Sequence, residues 1–143
     1  MALPALAAFD MNGVPLGASE EQVKEGFPQA RCRPLEWPSR AADRRCDDSR
    51  MSLQGIDASV TFYLRRDAVE GYDVRFDKSN VETVKKLLTD RHGKPVEAAT
   101  EKRTTLLWRD KDERAELSVE QGRRRASLLV WRGDFAAEIY KVR

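Results

Sequence analysis

Between residues 58 and 76 apolar and polar side chains alternate one for one. Ala58, Val60, Phe62 and Leu64 alternate with Ser59, Thr61, Tyr63 and Arg65, and Tyr72, Val74 and Phe76 with Asp73, Arg75 and Asp77. A strand turns successive side chains to opposite faces, so this period fits a sheet with one face on a core and the other toward water. Residues 66–71 read as the hairpin loop between the two runs. Four further strands are expected at 104–109, 115–120, 125–132 and 135–142, joined by polar turns at 110–113, Gln121-Gly122 and Gly133-Asp134. In succession they make an antiparallel meander.

Two helices interrupt this pattern, and both begin alike. Ser19-Glu20-Glu21-Gln22 and Ser79-Asn80-Val81-Glu82 each place a Ser at the N-cap and Gln or Glu three residues on, where the two side chains can satisfy each other's orphan backbone donors. The first helix is expected over 19–27, with Val23 and Phe27 turned inward, and stops at Pro28. The second, over 79–92, carries Val81, Val84, Leu87 and Leu88 on one stripe, keeps Lys85, Lys86 and Arg91 outside, and ends at Gly93 with Pro95 beyond. No linker rich in Gly, Ser or Pro lies between Phe76 and Ser79. The expected fold class is therefore α+β: two helices packed on one face of an antiparallel sheet of about six strands. Residues 9–143 form a single domain, and the capped helix, Pro-containing exit and following strands admit a tandem helix-plus-strands repeat with halves 9–77 and 78–143.

The bulk properties leave room for such a core. At 143 residues and 16.3 kDa a fold can bury roughly two thirds of its unfolded surface. Hydrophobic residues at 41% and aromatics at 8% are too many for a disordered chain, while 35% charged residues and a mean hydropathy of −0.65 exclude a membrane protein. No segment approaches the 18 or more apolar residues of a membrane span. The net charge is only +2. Basic and acidic residues number 9 and 11 up to Glu70 but 17 and 13 beyond it, an asymmetry milder than that of a dedicated nucleic-acid domain. Eighteen of the 26 basic residues are Arg, which fits a GC-rich bacterial coding sequence.

Cys32 and Cys46 flank an irregular stretch that includes Pro34, Trp37 and Pro38. Their spacing suits one disulfide, worth about 3 kcal/mol for a loop of about 15 residues. Two free thiols are the alternative; a zinc site is poorer, because only His92 remains as a soft ligand. At the amino terminus, Ala2-Leu3-Pro4-Ala5-Leu6-Ala7-Ala8 ends in the A-x-A spacing that a signal peptidase accepts. Residues 1–8 are read as the remnant of a secretion signal or, alternatively, as a disordered start. No Cys stands at the cut to carry a lipid. Disulfide and leader together give a secreted, periplasmic protein of the bacterial envelope.

Leu16-Gly17-Ala18-Ser19-Glu20-Glu21-Gln22-Val23 followed by Pro28, and Leu87-Leu88 with His92-Gly93-Lys94-Pro95, resemble short signatures of small bacterial envelope proteins. The family is that shared by the beta-lactamase inhibitor protein and the outer-membrane assembly lipoprotein BamE. The matching residues cover about a quarter of the chain, and this sequence lacks the lipidation cysteine. The resemblance implies helices on one face of an antiparallel sheet, no catalysis, and protein binding through the sheet face. It carries over no functional residue.

Signals for chemistry are thin. The sequence holds no G-x-S-x-G, H-E-x-x-H or C-x-x-C, and Gly13, Gly17 and Gly26 are too widely spaced for a phosphate loop. The lone His92 closes a helix, where an imidazole meets the helix dipole favourably. Asp43, Asp47 and Asp48 lie among Arg44, Arg45 and Arg50 and read as a mutually paired loop. No catalytic residue, metal or cofactor is expected.

More informative are Leu106-Leu107-Trp108 and Leu128-Leu129-Val130-Trp131, which are apolar on both strand faces. If Leu128 and Val130 face the helices, Leu129 and Trp131 point away. Either the 32–46 loop and Trp37 cover them, or Trp131, Leu129, Trp108 and Tyr63 form a binding patch rimmed by Arg65, Arg109, Arg125 and Arg132. Trp, Tyr and Arg dominate protein-binding hot spots. The expected function is a non-catalytic periplasmic module that binds a protein partner through its sheet face; a small-ligand carrier or hydrolase, with a cleft between sheet and Cys loop, is the alternative. Nucleic acid, using Arg123-Arg124-Arg125, ranks lower because Glu116 and Glu120 would face the phosphates.

Overall fold

Period-two patterning governs far more of the chain than one hairpin and a meander. In the computed structural model, which describes residues 9–142, strand accounts for 49% and helix for 19%. The α+β expectation, with its sheet of about six strands, is therefore overturned: the molecule is mostly β. The reading of residues 1–8 lies outside the described residues.

In chain order the elements are β1 (Asp10–Met11), β2 (Val14–Pro15), α1 (Glu20–Gly26), β3 (Arg31–Pro34), β4 (Arg44–Leu53), β5 (Ile56–Arg65), β6 (Ala68–Asp77), α2 (Val81–His92), β7 (Val96–Ala99), β8 (Arg103–Asp110), β9 (Glu113–Glu120), β10 (Arg125–Arg132) and α3 (Phe135–Glu138). Strands β1 and β2 form a two-stranded ribbon. The other eight make one antiparallel sheet in the order β3-β4-β5-β6-β10-β9-β8-β7. Each longer helix is followed by a four-stranded meander, and the two meanders join through their last strands, with Val74 opposite Leu128 and Tyr72 opposite Val130.

One face of the sheet carries the core. Phe62, Leu64, Tyr72, Val74, Phe76, Leu117, Leu128 and Val130 are buried there with Val23 and Phe27, from α1 and its C-cap, Val84 of α2, and Met11 and Val14 of the ribbon. Helix α1 starts as its sequence dictates: Ser19 Oγ accepts from the Gln22 N–H at 3.1 Å, and Gln22 Oε1 accepts from the Ser19 N–H at 2.8 Å. Helix α2 does not. The Asp77 carboxylate accepts the Ser79 N–H at 2.9 Å, sets a 3₁₀ turn over Lys78–Asn80, and delays the α-helix to Val81. The Ser79 box is absent because the carboxylate at the strand end takes that backbone donor first.

Three other differences have local causes. Arg66 and Asp67 both sit at positive φ (50° and 61°), a left-handed pair that joins β5 to β6 directly and leaves no 66–71 loop. The charged stretch with Asp43, Asp47 and Asp48 among Arg44, Arg45 and Arg50, read as a paired loop, falls almost wholly in strand β4, which holds its register on β5 through a bulge between Asp48 and Met51. The expected last strand at 135–142 is instead the single turn α3, with Phe135 and Ile139 buried at i and i+4.

Candidate functional site

Functional interest falls on the second face of the sheet, opposite the helices. Alternation and register place Tyr63, Gly71, Trp131, Arg114 and Arg109 in one row across β5, β6, β10, β9 and β8. Thr61, Asp73, Leu129, Glu116, Leu107 and Val96 form the next. One end of this face is capped. Ala41 and Ala42 from the 35–43 loop and Phe135 and Ile139 from the C-terminal segment bury Tyr63, with Leu35, Trp37, Leu129 and Trp131 packed around them. Trp37 donates its indole N–H to the Ile139 carbonyl at 2.7 Å and stacks on Tyr140, the ring centroids 6.1 Å apart.

A glycine makes the cap possible. Phe135 lies directly on Gly71, where an added Cβ would come 2.5 Å from its Cε1. Burial also pushes the Tyr63 phenol well above its ordinary range, with Tyr140 adding to the shift and Arg45 opposing it. Under the same shelter Arg45 donates to both Asp47 oxygens at 2.8 and 3.0 Å, and Thr61 donates to Asp47 at 2.7 Å. Burial alone would raise the Asp47 carboxyl, but these hydrogen bonds outweigh it and hold the group low.

The proposed patch is thus divided by the fold. Leu129 and Trp131 share the second face and stay partly buried at the edge of the cap, and Tyr63 is fully covered. Trp108 lies on the other face: it is 1% exposed and donates its indole N–H to the Gly93 carbonyl at 2.9 Å, closing the end of α2. Its place on the second face belongs to Leu107. Arg109 is exposed beside Arg114, Arg125 stands at the far end of β10, and Arg65 is exposed at the β5 turn. Arg132 is tied to Glu70 at 2.6 Å.

Beyond the cap the face is open and holds an electrostatic irregularity. Arg109 and Arg114 are directly opposite each other on β8 and β9, and neither has an ion pair or side-chain hydrogen bond among the described residues. Like charges in a cross-strand pair are destabilising. Next to them runs the apolar row Leu129, Leu107 and Val96, interrupted by Glu116; it ends on the edge strand β7, where Val96 is 68% exposed. Leu107, named in the sequence within a run apolar on both faces, was left out of the expected patch, and Arg114 and Val96 were missed. The doublet Leu106-Leu107 held the signal for the first, since its two residues must face opposite ways.

Cys32 and Cys46 form a disulfide between directly opposed residues of β3 and β4, with Cα atoms 4.0 Å apart. His92 ends α2 against the Phe9 ring, 4.2 Å between centroids. Burial, aided by Arg91, lowers its pKa against the pull of Asp110 and Asp10, so the imidazole is favoured neutral there rather than as a charge on the helix dipole. It borders a cavity of about 60 Å³ with Phe9, Tyr72, Val84 and Val130, far below the several hundred Å³ of ligand pockets. Comparison of the chain with protein families, curated proteins and solved structures finds no match.

Proposed function

We propose that this chain is a non-catalytic interaction module of an oxidising compartment, the bacterial periplasm, and that it binds a protein partner on the open half of the second sheet face. The observation that carries the reading is the unpaired Arg109–Arg114 couple set against the row of Leu129, Leu107 and Val96. Its occupant is an extended acidic and apolar segment of the partner. A carboxylate laid across the two guanidiniums relieves their repulsion through bidentate, charge-assisted hydrogen bonds. Apolar residues of the same segment cover Leu107, Val96 and the exposed flank of Trp131. Edge strand β7, whose four residues are all exposed, offers backbone groups along which such a segment can continue.

The disulfide supports the compartment, since such bridges persist where thiols are not kept reduced. Protein binding through a sheet face is also what the resemblance to the beta-lactamase inhibitor protein and BamE family implies. The test is a photo-crosslinking residue at Leu107 in the whole protein, compared with one at Lys86 on the outer side of α2. A discrete cross-linked protein from position 107 only is expected, with yield cut roughly tenfold by Arg109→Glu with Arg114→Glu. Equal cross-linking from both positions, or a yield indifferent to the double charge reversal, would overturn the reading.

A further inference from the structure

We propose that the groove at the far end of the second face, where β6, β10, β9 and β8 meet the 121–124 turn, binds an anion carrying two or more phosphate groups. This site is separate from the partner-binding patch and does not depend on it. Five arginines line it: Arg75 from β6, Arg103 from β8, Arg125 from β10, and Arg123 and Arg124 from the turn, around a groove of about 480 Å³. A neighbouring hollow of about 870 Å³ shares Arg124 and Arg125 and adds Arg50.

The local carboxylates leave most of these donors unused. Asp73 approaches Arg75 at 3.2 Å, Glu116 approaches Arg103 at 3.6 Å, and Glu120 approaches Arg123 at 3.5 Å. The three arginine side chains nevertheless stay 56%, 49% and 75% exposed, and a guanidinium has five N–H donors, of which one such contact occupies one or two. Arg124 and Arg125 have no ion pair among the described residues. The register sets Arg125 opposite Asp77, but that carboxylate accepts the Ser79 N–H and its charge is drawn on by Arg124. Five arginines therefore line one groove in which Glu120 is the only acidic lining residue among the described residues.

The lining also indicates the kind of anion. The Ser118 hydroxyl, which accepts from Arg103 at 2.9 Å, and the Ser127 hydroxyl border the groove and can donate to phosphate oxygens, whereas among the described residues no aromatic lines it. Trp131 stands six residues along β10 from Arg125, about 20 Å away at strand rise. A ligand held by base stacking finds no platform, so recognition falls to the charged groups. The arginines stand on three strands and the 121–124 turn, across a width of four adjacent strands, about 14 Å at the usual strand spacing. A single phosphate presents four oxygens, too few to take five guanidinium forks in bidentate pairing, and engaging all five takes linked phosphates.

Isothermal titration of the whole protein with sodium tripolyphosphate, orthophosphate and sulfate tests this. Saturable one-site binding of tripolyphosphate is expected, at least tenfold tighter than orthophosphate or sulfate and weakening as salt rises. Arg124→Glu with Arg125→Glu, both exposed and outside the core, should weaken it at least tenfold with the melting temperature unchanged. Arg66→Glu, at the β5–β6 turn, should leave it as it was. No saturable binding at low salt, equal affinity for sulfate and tripolyphosphate, or an equal loss in the Arg66 variant would each overturn the proposal.

Discussion

Asp73 stands near the middle of the second face with its side chain 12% exposed. One oxygen meets Arg75, while Oδ1 is buried without a hydrogen-bond partner. Burial raises this carboxyl above its ordinary value of 3.8 and Arg75 only partly offsets the rise. A carboxyl whose folded pKa exceeds its unfolded one binds its proton more tightly in the folded state. Its contribution is therefore most favourable below 3.8 and is lost as pH rises through the folded value. Asp73→Asn removes a costly buried charge while keeping the shape, so thermal melting at pH 7 should show a gain of roughly 1 kcal/mol that vanishes in acid. A destabilised variant at pH 7 would mean that the Arg75 pair outweighs the burial. Nothing in the sequence marked this residue, because a charge at an outward strand position reads as solvated until its burial in the fold is known.

Among the elements, the cap of the 35–43 loop and α3 decides how much of the second face is available. It rests on the contact of Phe135 with Gly71, so Gly71→Val should lift α3 from the sheet, cost roughly 2 kcal/mol through overpacking, and shift the fluorescence of Trp37 toward that of an exposed indole. Unchanged melting and emission would show that the cap does not depend on that contact. The sequence pointed to the 32–46 loop, with Trp37, as one possible cover, but not to α3. Phe135, Ala137 and Ile139 alternate as a strand would, while Phe135 and Ile139 also match a helical turn, and a run this short cannot decide between the two periods. Strand β4 was hidden for another reason: its alternation is broken by the bulge between Asp48 and Met51, and its charges are paired, Arg45 with Asp47 along the strand itself and Arg44 with Glu20 of α1, rather than solvated. Where turn residues mark both ends, as Gln121-Gly122 and Gly133-Asp134 do around 125–132, strand and bounds were readable directly although Leu128 to Trp131 are apolar on both faces.

For the whole molecule, what the sequence carried was a sheet stapled by Cys32 and Cys46; what it did not carry was the proportion of strand, because the short edge strands β3 and β7 have too few buried residues to imprint a period. The division of the second face into a capped and an open half depends on contacts more than sixty residues apart, such as Phe135 on Gly71 and Trp37 on Ile139. Such pairs leave no local signal, which is why Trp108 and Tyr63 were grouped with Trp131 in the sequence although the fold buries one on the opposite face and the other under the cap. The proposed partner binding requires that the open half be the surface the partner covers. Hydroxyl-radical footprinting of the protein alone and in complex with its cross-linked partner measures this directly: oxidation of Leu107, Val96 and Trp131 should fall on binding while that of Leu87 and Leu88 on α2 stays constant. Protection confined to α2, with Leu107 and Val96 unchanged, would contradict it.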